Sequence, residues 1–353
     1  MNEVLNYKIN RIKNKYILKK KRLQELDEII EKLSDKYSYV AIHNPEWLGV
    51  SSATKELFDN TLAIGEIYTE FEAEHIAKRL IKKNYKMIIF SAFMINWVPI
   101  VKTLKALNPE VEIKVIWHGS NALLSEPIDF EIFKRVLTLA NEKQIDQIAF
   151  VKKTMADFYK EKGYNTFFLM NTVKLDKIPK KKKRTDKKVK IGMYYSGNRW
   201  VKNNFNQLSA ASLIDNSVVD YVAINYQVEK FSEFLKLKLT GKKENMDRFK
   251  LLERIAQNDI TFYVTFTECA PMVPLESFEV GVPCITGNNH HYWEGTELEK
   301  YLVVDKADNI FAIKEKALYC LEHKSEIMKL YKKWKKDYDK QVEKNIKEFL
   351  EEL

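Results

Sequence analysis

Two glutamates in the second half of the chain could bind a sugar and its phosphate together. Glu268 and Glu276 are separated by seven residues in the segment TFTECAPMVPLESFEVGVPCIT. Glu268 follows an apolar run of strand length, and Glu276 falls about one turn inside the helix predicted next. The N–H groups of Met272 and Val273 lie near the start of that helix, where free N–H groups and a positive dipole bind anions. The spacing of two glutamates can arise by chance, so the surrounding residues must show whether they form a motif.

Those surrounding residues resemble a known signature. The segment is similar to the E-x7-E motif of retaining glycosyltransferases of the GT-B fold, the GT4-like group, and the matching positions are Glu268, Leu275, Glu276, Gly281, Pro283 and Ile285. Cys269 and Pro271 stand where the family has glycines, and a proline has no N–H to donate. The resemblance implies that Glu268 binds hydroxyls of the transferred sugar and that Glu276 binds the ribose.

The resemblance also assigns roles to a segment after the first strand of the second half, YSGNRWVK, which contains Gly197. In the family an arginine and a lysine here clamp the donor diphosphate, and the candidates are Arg199 and Lys202. Their spacing is shorter than the family's. An arginine fork and a lysine point charge would both stabilise a departing diphosphate, while the alternative is a pair of surface cations.

Three further positions are implied by place in the pattern. His118 follows the apolar run IKVIW, where the family often has a histidine that hydrogen bonds the donor sugar. The segment Gly49-Val50-Ser51-Ser52 opens a predicted helix and resembles the family's glycine-rich first loop, with Leu48 replacing one glycine. Gly241 follows a predicted strand whose loop holds the nucleotide base in the family. A lone histidine is more often structural, so His118 keeps that alternative.

Strands alternate with helices along the whole chain, which predicts βαβ units and parallel sheets covered on both faces. Apolar runs predict strands over 39–43, 87–92, 113–117, 147–151, 189–195, 219–224, 235–239, 260–266, 283–286 and 301–304. Periodic patterns predict helices over 1–34, 72–83, 98–107, 130–143, 154–163, 203–214, 272–280, 309–322 and 325–350, with a short helical stretch ending at 58.

The lysine-rich segment PKKKKRTDKK, residues 179–188, marks the best domain boundary. We therefore expect an α/β fold of the GT-B type, with two Rossmann-like domains facing each other across a cleft. Residues 1–178 would form the acceptor-side domain with its N-terminal helix. Residues 189–324 would bind the nucleotide sugar, and residues 325–353 would be a helix that crosses back.

Composition narrows the class of protein. The 353 residues include 59 basic and 49 acidic side chains, a net charge of +10, but the lysines are dispersed and not interleaved with aromatics, so nucleic acid is not expected as a partner. Three cysteines without C-x-x-C spacing and six histidines without H-E-x-x-H argue against a metal site. No secretory signal is recognised, and the longest uncharged run, 87–101, is shorter than the ~20 residues of a membrane span. A cytoplasmic protein is expected.

The resemblance thus implies a metal-independent, retaining glycosyltransferase that needs no cofactor beyond its nucleotide-sugar substrate, a UDP- or GDP-sugar. The acceptor would be a glycan, a lipid-linked saccharide or a protein. The basic N-terminal helix and residues 179–188 weakly favour peripheral contact with the inner face of an anionic membrane. Two alternatives stay open: a nucleotide-sugar epimerase on the same fold, and a non-catalytic accessory protein, which the replaced glycines at Cys269 and Pro271 would suit.

Overall fold

The computed structural model describes residues 19–182, 185–195, 197–241 and 246–351. The chain divides into two compact units. The first consists of the described residues up to Met170 together with those from Asn345 onward, and the second spans Asn171–Lys344. Of the helix predicted over 1–34, only the part from Lys19 lies within the described residues, and there a helix ends at Glu31.

The first unit is built on a parallel sheet. Its strands are β1 (Tyr39–His43), β2 (Thr61–Ala63), β3 (Met87–Ser91), β4 (Glu112–Trp117), β5 (Gln147–Phe150) and β6 (Thr166–Phe168), in the order β2-β1-β3-β4-β5-β6. Its helices are α1 (Lys19–Glu31), α2 (Leu48–Leu57), α3 (Glu70–Lys82), α4 (Val98–Leu107), α5 (Pro127–Asn141) and α6 (Lys153–Glu161). Every residue of β1, β3, β4 and β5 is buried, as expected for a sheet covered on both faces.

The second unit repeats this architecture. Its parallel strands are β7 (Val189–Met193), β8 (Ser217–Tyr221), β9 (Lys238–Thr240), β10 (Ile260–Tyr263), β11 (Cys284–Gly287) and β12 (Val303–Val304), in the order β12-β11-β10-β7-β8-β9. Its helices are α7 (Asn204–Ser212), α8 (Tyr226–Phe234), α9 (Arg248–Ile255), α10 (Met272–Glu279), α11 (Glu299–Leu302) and α12 (Ile310–Glu322).

The last helix, α13 (Lys324–Glu351), begins in the second unit and ends in the first. Its end is fixed in the first unit's core, where the fully buried ring of Phe349 packs against Phe58 and Phe167. The Phe349 carbonyl also accepts a 2.6 Å hydrogen bond from the buried ammonium of Lys114 on β4. The chain therefore returns to its first unit in this helix, as predicted for the GT-B type.

Each sheet has one point where the strand order reverses. In the first unit the chain runs from β1 outward to β2 and then continues on the other side of β1 with β3. In the second unit it runs from β7 through β8 to β9 and then returns to the other side of β7 with β10. Ligands of open α/β sheets bind at such switch points, outside the carboxyl ends of the strands. The residues that follow β1, β3, β7 and β10 are therefore the ones expected to contact a ligand.

The structure differs from the sequence-based prediction at several elements. The strand predicted over 301–304 is wrong in its first half, because Leu298, Tyr301 and Leu302 are buried at helical spacing and α11 ends at Leu302. The strand predicted over 235–239 begins only at Lys238, because Leu235 caps α8. Besides α11, four further strands and α-helices were not predicted: β2, β6, α8 and α9.

Candidate functional site

The switch point of the second sheet brings two predicted site residues together. Lys202 lies in a 3-10 turn after β7, and Glu268 lies in the segment after β10. A backbone hydrogen bond of 2.9 Å from the Phe266 N–H to the Val201 carbonyl ties these two segments. Asn203, in the left-handed conformation at φ 55°, adds a 2.9 Å bond from its amide to the Val264 carbonyl. These bonds fix Lys202 beside Glu268.

Lys202 and Glu268 form a shielded ion pair. The Lys202 Nζ is 2.5 Å from Glu268 Oε1, and the two side chains are only 8% and 14% exposed. The Tyr263 hydroxyl, at the end of β10, lies 3.4 Å from the same ammonium. Burial raises the pKa of Tyr263 well above its ordinary value, and the Glu268 carboxylate raises it further, so Tyr263 stays a neutral hydrogen-bonding group. The site thus holds one cation, one carboxylate and one phenol.

The N-terminus of α10 is next to Glu268 in the chain and is poor in N–H groups. Four N–H groups at a helix start normally lack an intrahelical partner. Here two of these positions are prolines, Pro271 at the N-cap and Pro274 in the first turn, which have none. Met272 and Val273 supply the remaining N–H groups, and neither donates to another group in the described part of the chain. The two N–H groups that the sequence analysis predicts as phosphate donors therefore lie next to each other at this helix start.

Glu276 is held by a residue that the sequence did not predict. It lies in α10 with its side chain 5% exposed, and its Oε1 accepts a 2.9 Å hydrogen bond from Arg248 Nε on α9. Arg248 is 28 residues away in sequence, and no local pattern marks it. The ion pair with Arg248 compensates the burial of the Glu276 carboxylate, because a charge that leaves water needs a partner.

The other predicted residues of the second unit lie in different surroundings. Arg199 is exposed, and its side chain makes no hydrogen bond or ion pair within the described ranges. Gly197 is exposed, with φ +86° and open space where a Cβ would be. Gly241, with φ +112°, borders the ion pair of Arg254 with Asp220, and a Cβ there would meet both side chains.

His118 in the first unit belongs to a hydrogen-bond chain at that sheet's switch point. Its Nε2 is 3.0 Å from the Ser91 hydroxyl at the end of β3, and Ser91 in turn is 2.6 Å from the Thr54 hydroxyl on α2. Thr54 also bonds the Val50 carbonyl at 2.8 Å, in the segment that opens α2 with the exposed Gly49. Burial lowers the pKa of His118 to about 4, so the imidazole is neutral at neutral pH. The two positions predicted in this unit are therefore linked through Ser91 and Thr54.

Two residues next to the His118–Ser91–Thr54 hydrogen bonds were not predicted from the sequence. His43, the last residue of β1 and the register partner of Ser91, is 1% exposed, and burial lowers its pKa. Ala92, directly after β3, has φ +66°, a conformation that costs a residue with a Cβ about 1–3 kcal/mol and that concentrates at functional sites. Neither residue type suggests such a role from sequence alone.

The loop after β11 contributes two aromatic side chains to the core of the second unit. Tyr292 and Trp293 are fully buried, and their rings pack against Trp334 of α13. They are core residues that pack against the last helix near its middle. Among the described residues no group of histidine, cysteine and carboxylate side chains is arranged to hold a metal ion, and no helix is long and apolar enough to cross a membrane.

No protein-family model and no curated protein sequence matches this chain. Solved structures do match its fold. A sucrose-phosphate synthase from Thermosynechococcus elongatus superposes with a TM-score of 0.60 at 11% identity, covering 88% of this chain and 97% of the other. An OtsA structure without ligand superposes with a TM-score of 0.58 at 10% identity, covering 89% of this chain and 99% of the other.

A UDP-forming α,α-trehalose-phosphate synthase from Burkholderia xenovorans, solved with glucose-6-phosphate, gives a TM-score of 0.55 at 10% identity over 87% and 96% of the chains. At such low identity the likeness shows the fold. The predicted architecture is confirmed: two parallel six-stranded sheets with surrounding helices, as in GT-B glycosyltransferases.

Proposed function

We propose that the protein is a retaining glycosyltransferase that moves a sugar from a nucleotide-sugar donor to a glycan, a lipid-linked saccharide or a protein. The observation that carries the proposal is the shielded Lys202–Glu268 pair at the switch point of the second sheet. It lies on the segments that lead into α7 and α10, and α10 holds Glu276 with the N–H groups of Met272 and Val273. A cation, two N–H groups and two carboxylates suit a ligand that carries both phosphates and hydroxyls.

Different residues of the site would bind different groups of the donor. The Lys202 ammonium and the two N–H groups would bind the diphosphate, which gains negative charge as the glycosidic bond breaks. Glu268 would accept hydrogen bonds from hydroxyls of the transferred sugar, and Glu276 from the ribose. Arg199, exposed and unengaged by described residues, would add its guanidinium to the diphosphate after a side-chain rotation. Gly197 and Gly241 would let the backbone approach the donor.

Retention of stereochemistry is the finer part of the proposal, and the motif likeness supports it. The departing diphosphate would take the proton from the acceptor hydroxyl on the face that the leaving group vacates. The neutral His118 would then hydrogen bond a sugar hydroxyl and would not act as a base, which suits its lowered pKa. By the same motif likeness, the Gly49–Ser52 segment would contact donor phosphate or acceptor. No metal ion or cofactor is needed, because Lys202 and the helix N–H groups supply the positive charge.

The grouping with GT4-like enzymes rests on the E-x7-E likeness alone, since the structural neighbours are trehalose-phosphate and sucrose-phosphate synthases. One of those neighbours is described as UDP-forming, which makes UDP-glucose the first donor to test. GDP-mannose is the second. Peripheral contact with an anionic membrane is a subordinate proposal, supported by the net charge of +10 and tested by flotation with phosphatidylglycerol vesicles.

Calorimetry on the full chain with UDP, GDP, UDP-glucose and GDP-mannose tests the donor. Binding of one nucleotide and its sugar is expected, and Lys202→Met should weaken it about tenfold or more, as removal of a charge-assisted bond does. The matched control is Lys230→Met, since Lys230 forms an exposed ion pair with Glu233 on α8. Binding of no donor would favour an accessory protein. Epimerised sugar from donor alone would identify an epimerase.

A further inference from the structure

A cavity of about 200 Å³ lies in the second unit between the loop that precedes α11 and one face of α13. The loop contributes Thr296, Glu297 and Leu298, and the helix contributes Leu330, Lys333, Trp334, Asp337, Tyr338 and Gln341. The helix residues recur every three to four positions, so they form a continuous stripe. Drug-sized ligands need roughly 300–1,000 Å³, and this volume therefore suits a single small ring.

The floor of the cavity is aromatic and held in place. The Trp334 indole stacks on Tyr338 with a centroid distance of 4.5 Å and an interplanar angle of 21°. Trp293, fully buried, packs against the same indole at 4.9 Å. The Tyr338 hydroxyl donates a 2.8 Å hydrogen bond to the Asn171 carbonyl, which fixes the ring. A half-buried indole that is already immobilised loses little conformational entropy when a ligand covers it.

The rim of the cavity is polar and exposed. Glu297, Asp337 and Gln341 supply oxygen acceptors, and Lys333 and the Gln341 amide supply donors. Two carboxylates and one lysine line the cavity, and Asp337 also lies 3.8 Å from the Lys340 ammonium on the same helix. This lining does not favour an anionic ligand, and a purely apolar ligand would make no hydrogen bond to it. A ring with an apolar face of C–H groups and an edge of hydroxyls satisfies both parts, because the negative face of an indole attracts the positive C–H groups.

We propose that this cavity binds one pyranose ring of the glycan acceptor, at a sugar residue other than the one that reacts. The inference rests on the proposed function, because it makes the acceptor a saccharide and not a protein side chain. The loop that forms the cavity begins after β11, beside β10. Within that loop the Asn289 amide donates a 2.6 Å bond to the Thr265 carbonyl, in the segment that carries Glu268. The subsite and the donor residues are thus connected through neighbouring loops of one sheet.

Saturation-transfer NMR and tryptophan fluorescence on the full chain test this binding without turnover. The probes are methyl glucosides, methyl galactosides and linear trisaccharides of glucose in α and β linkage. We expect at least one probe to bind, with Trp334→Ala weakening it about tenfold, in the range of an aromatic contact. Because that change also removes core contacts with Trp293, the exposed variants Glu297→Ala and Gln341→Ala provide a second reading that leaves the core intact. Each should weaken binding a few-fold, as loss of one hydrogen bond does.

Two controls remove comparable groups away from the cavity. Phe311→Ala deletes an exposed aromatic ring on α12, and Lys336→Ala deletes a charge on α13 outside the cavity lining. Both should leave sugar binding unchanged. If no probe binds while UDP or GDP does, or if the variants and the controls bind equally, the subsite is refuted and the proposed function stands. If a probe binds through Trp334 and no nucleotide binds, the subsite stands and the transferase proposal fails.

Discussion

The Lys202 ammonium and the Glu268 carboxylate meet at 2.5 Å in a place where both are largely shielded from water. They come from segments 66 residues apart in sequence, joined by the Phe266–Val201 backbone hydrogen bond. A shielded pair of this kind is weak evidence for stability, because desolvation offsets much of the attraction. It is a suitable arrangement for recognition, since it presents a fixed cation and a fixed carboxylate side by side to a ligand that has both phosphate and hydroxyl groups.

Removing the cation of this pair should reduce transfer, and it should also lower folding stability because Glu268 loses a shielded ion pair. Lys202→Met keeps the length of the side chain and removes its charge. We expect turnover with the donor found by calorimetry to fall about 10²-fold or more, which is the cost of losing one electrostatic contact to a developing negative charge. Steady-state assay of released nucleoside diphosphate measures the effect.

The control for this prediction is Lys230→Met, which breaks the exposed pair with Glu233 and should leave turnover unchanged. Turnover of Lys202→Met within a factor of two or three of the unmodified protein would contradict the assignment. A fall equal to that of the control would mean that the assay reports net charge and not the site.

Variants of the Arg248–Glu276 pair should change folding stability and donor affinity independently of each other. Arg248→Met removes the ion pair of the buried Glu276 carboxylate with Arg248, and we expect the free energy of unfolding to fall by about 3–5 kcal/mol. The double variant Arg248→Met, Glu276→Gln removes both charges and should recover part of that loss. Urea unfolding of the three proteins measures the coupling.

In this series the affinity for the donor should depend on the presence of the Glu276 carboxylate and not on the free energy of unfolding. Glu276→Gln and the double variant should both bind nucleotide more weakly than the unmodified protein, because each lacks the acceptor proposed for the ribose. Full nucleotide affinity in the recovered double variant would show that Glu276 is structural only.

Sequence patterns predicted the fold because they report burial. Val98–Leu107 was predicted to the residue, and the strands Tyr39–His43 and Met87–Ser91 to within one, since each is an apolar or periodic run. Four further elements were missed because they are short. Strands β2 and β6 have three residues each, too few for a period, and helices α8 and α9 have nine and eight residues, about two turns each.

The candidate site was predictable where it follows a strand end and unpredictable where it depends on partners distant in sequence. Lys202 and Glu268 were named from position, and the structure brings them together. Arg248 was not, because only the packing of α9 against α10 brings it to Glu276. Ser91 likewise has no signal in the sequence, although it connects His118 to Thr54.

Gly241 should tolerate no side chain. At φ +112° any other residue is strained, and a Cβ would also meet the Arg254 and Asp220 side chains and the Tyr221 carbonyl. Gly241→Ala should therefore lower the melting temperature by several degrees, with a cost beyond the roughly 1 kcal/mol of the conformation alone. Gly163→Ala is the matched control, since Gly163 has φ +88° but open space around a Cβ. Equal shifts in differential scanning calorimetry would show that the Arg254–Asp220 pair accommodates the extra atom.

The lowered pKa of His118 predicts a specific dependence of stability on pH. The unfolded imidazole takes up a proton as the pH falls through 6.5, whereas the folded one stays neutral until about 4. Between these values the unfolded state binds more protons, so the free energy of unfolding falls as the pH falls, by up to ~1.4 kcal/mol per pH unit for this one group. Urea unfolding of His118→Gln across this range should show a shallower slope of the free energy of unfolding against pH than the unmodified protein. The buried His43 contributes in the same direction in both proteins.

The variant Ser91→Ala serves as the control. Burial alone lowers the pKa of His118, so this variant, which removes only the hydrogen-bond partner, should keep the steep slope. Identical slopes for His118→Gln and the unmodified protein would place the His118 imidazole in water.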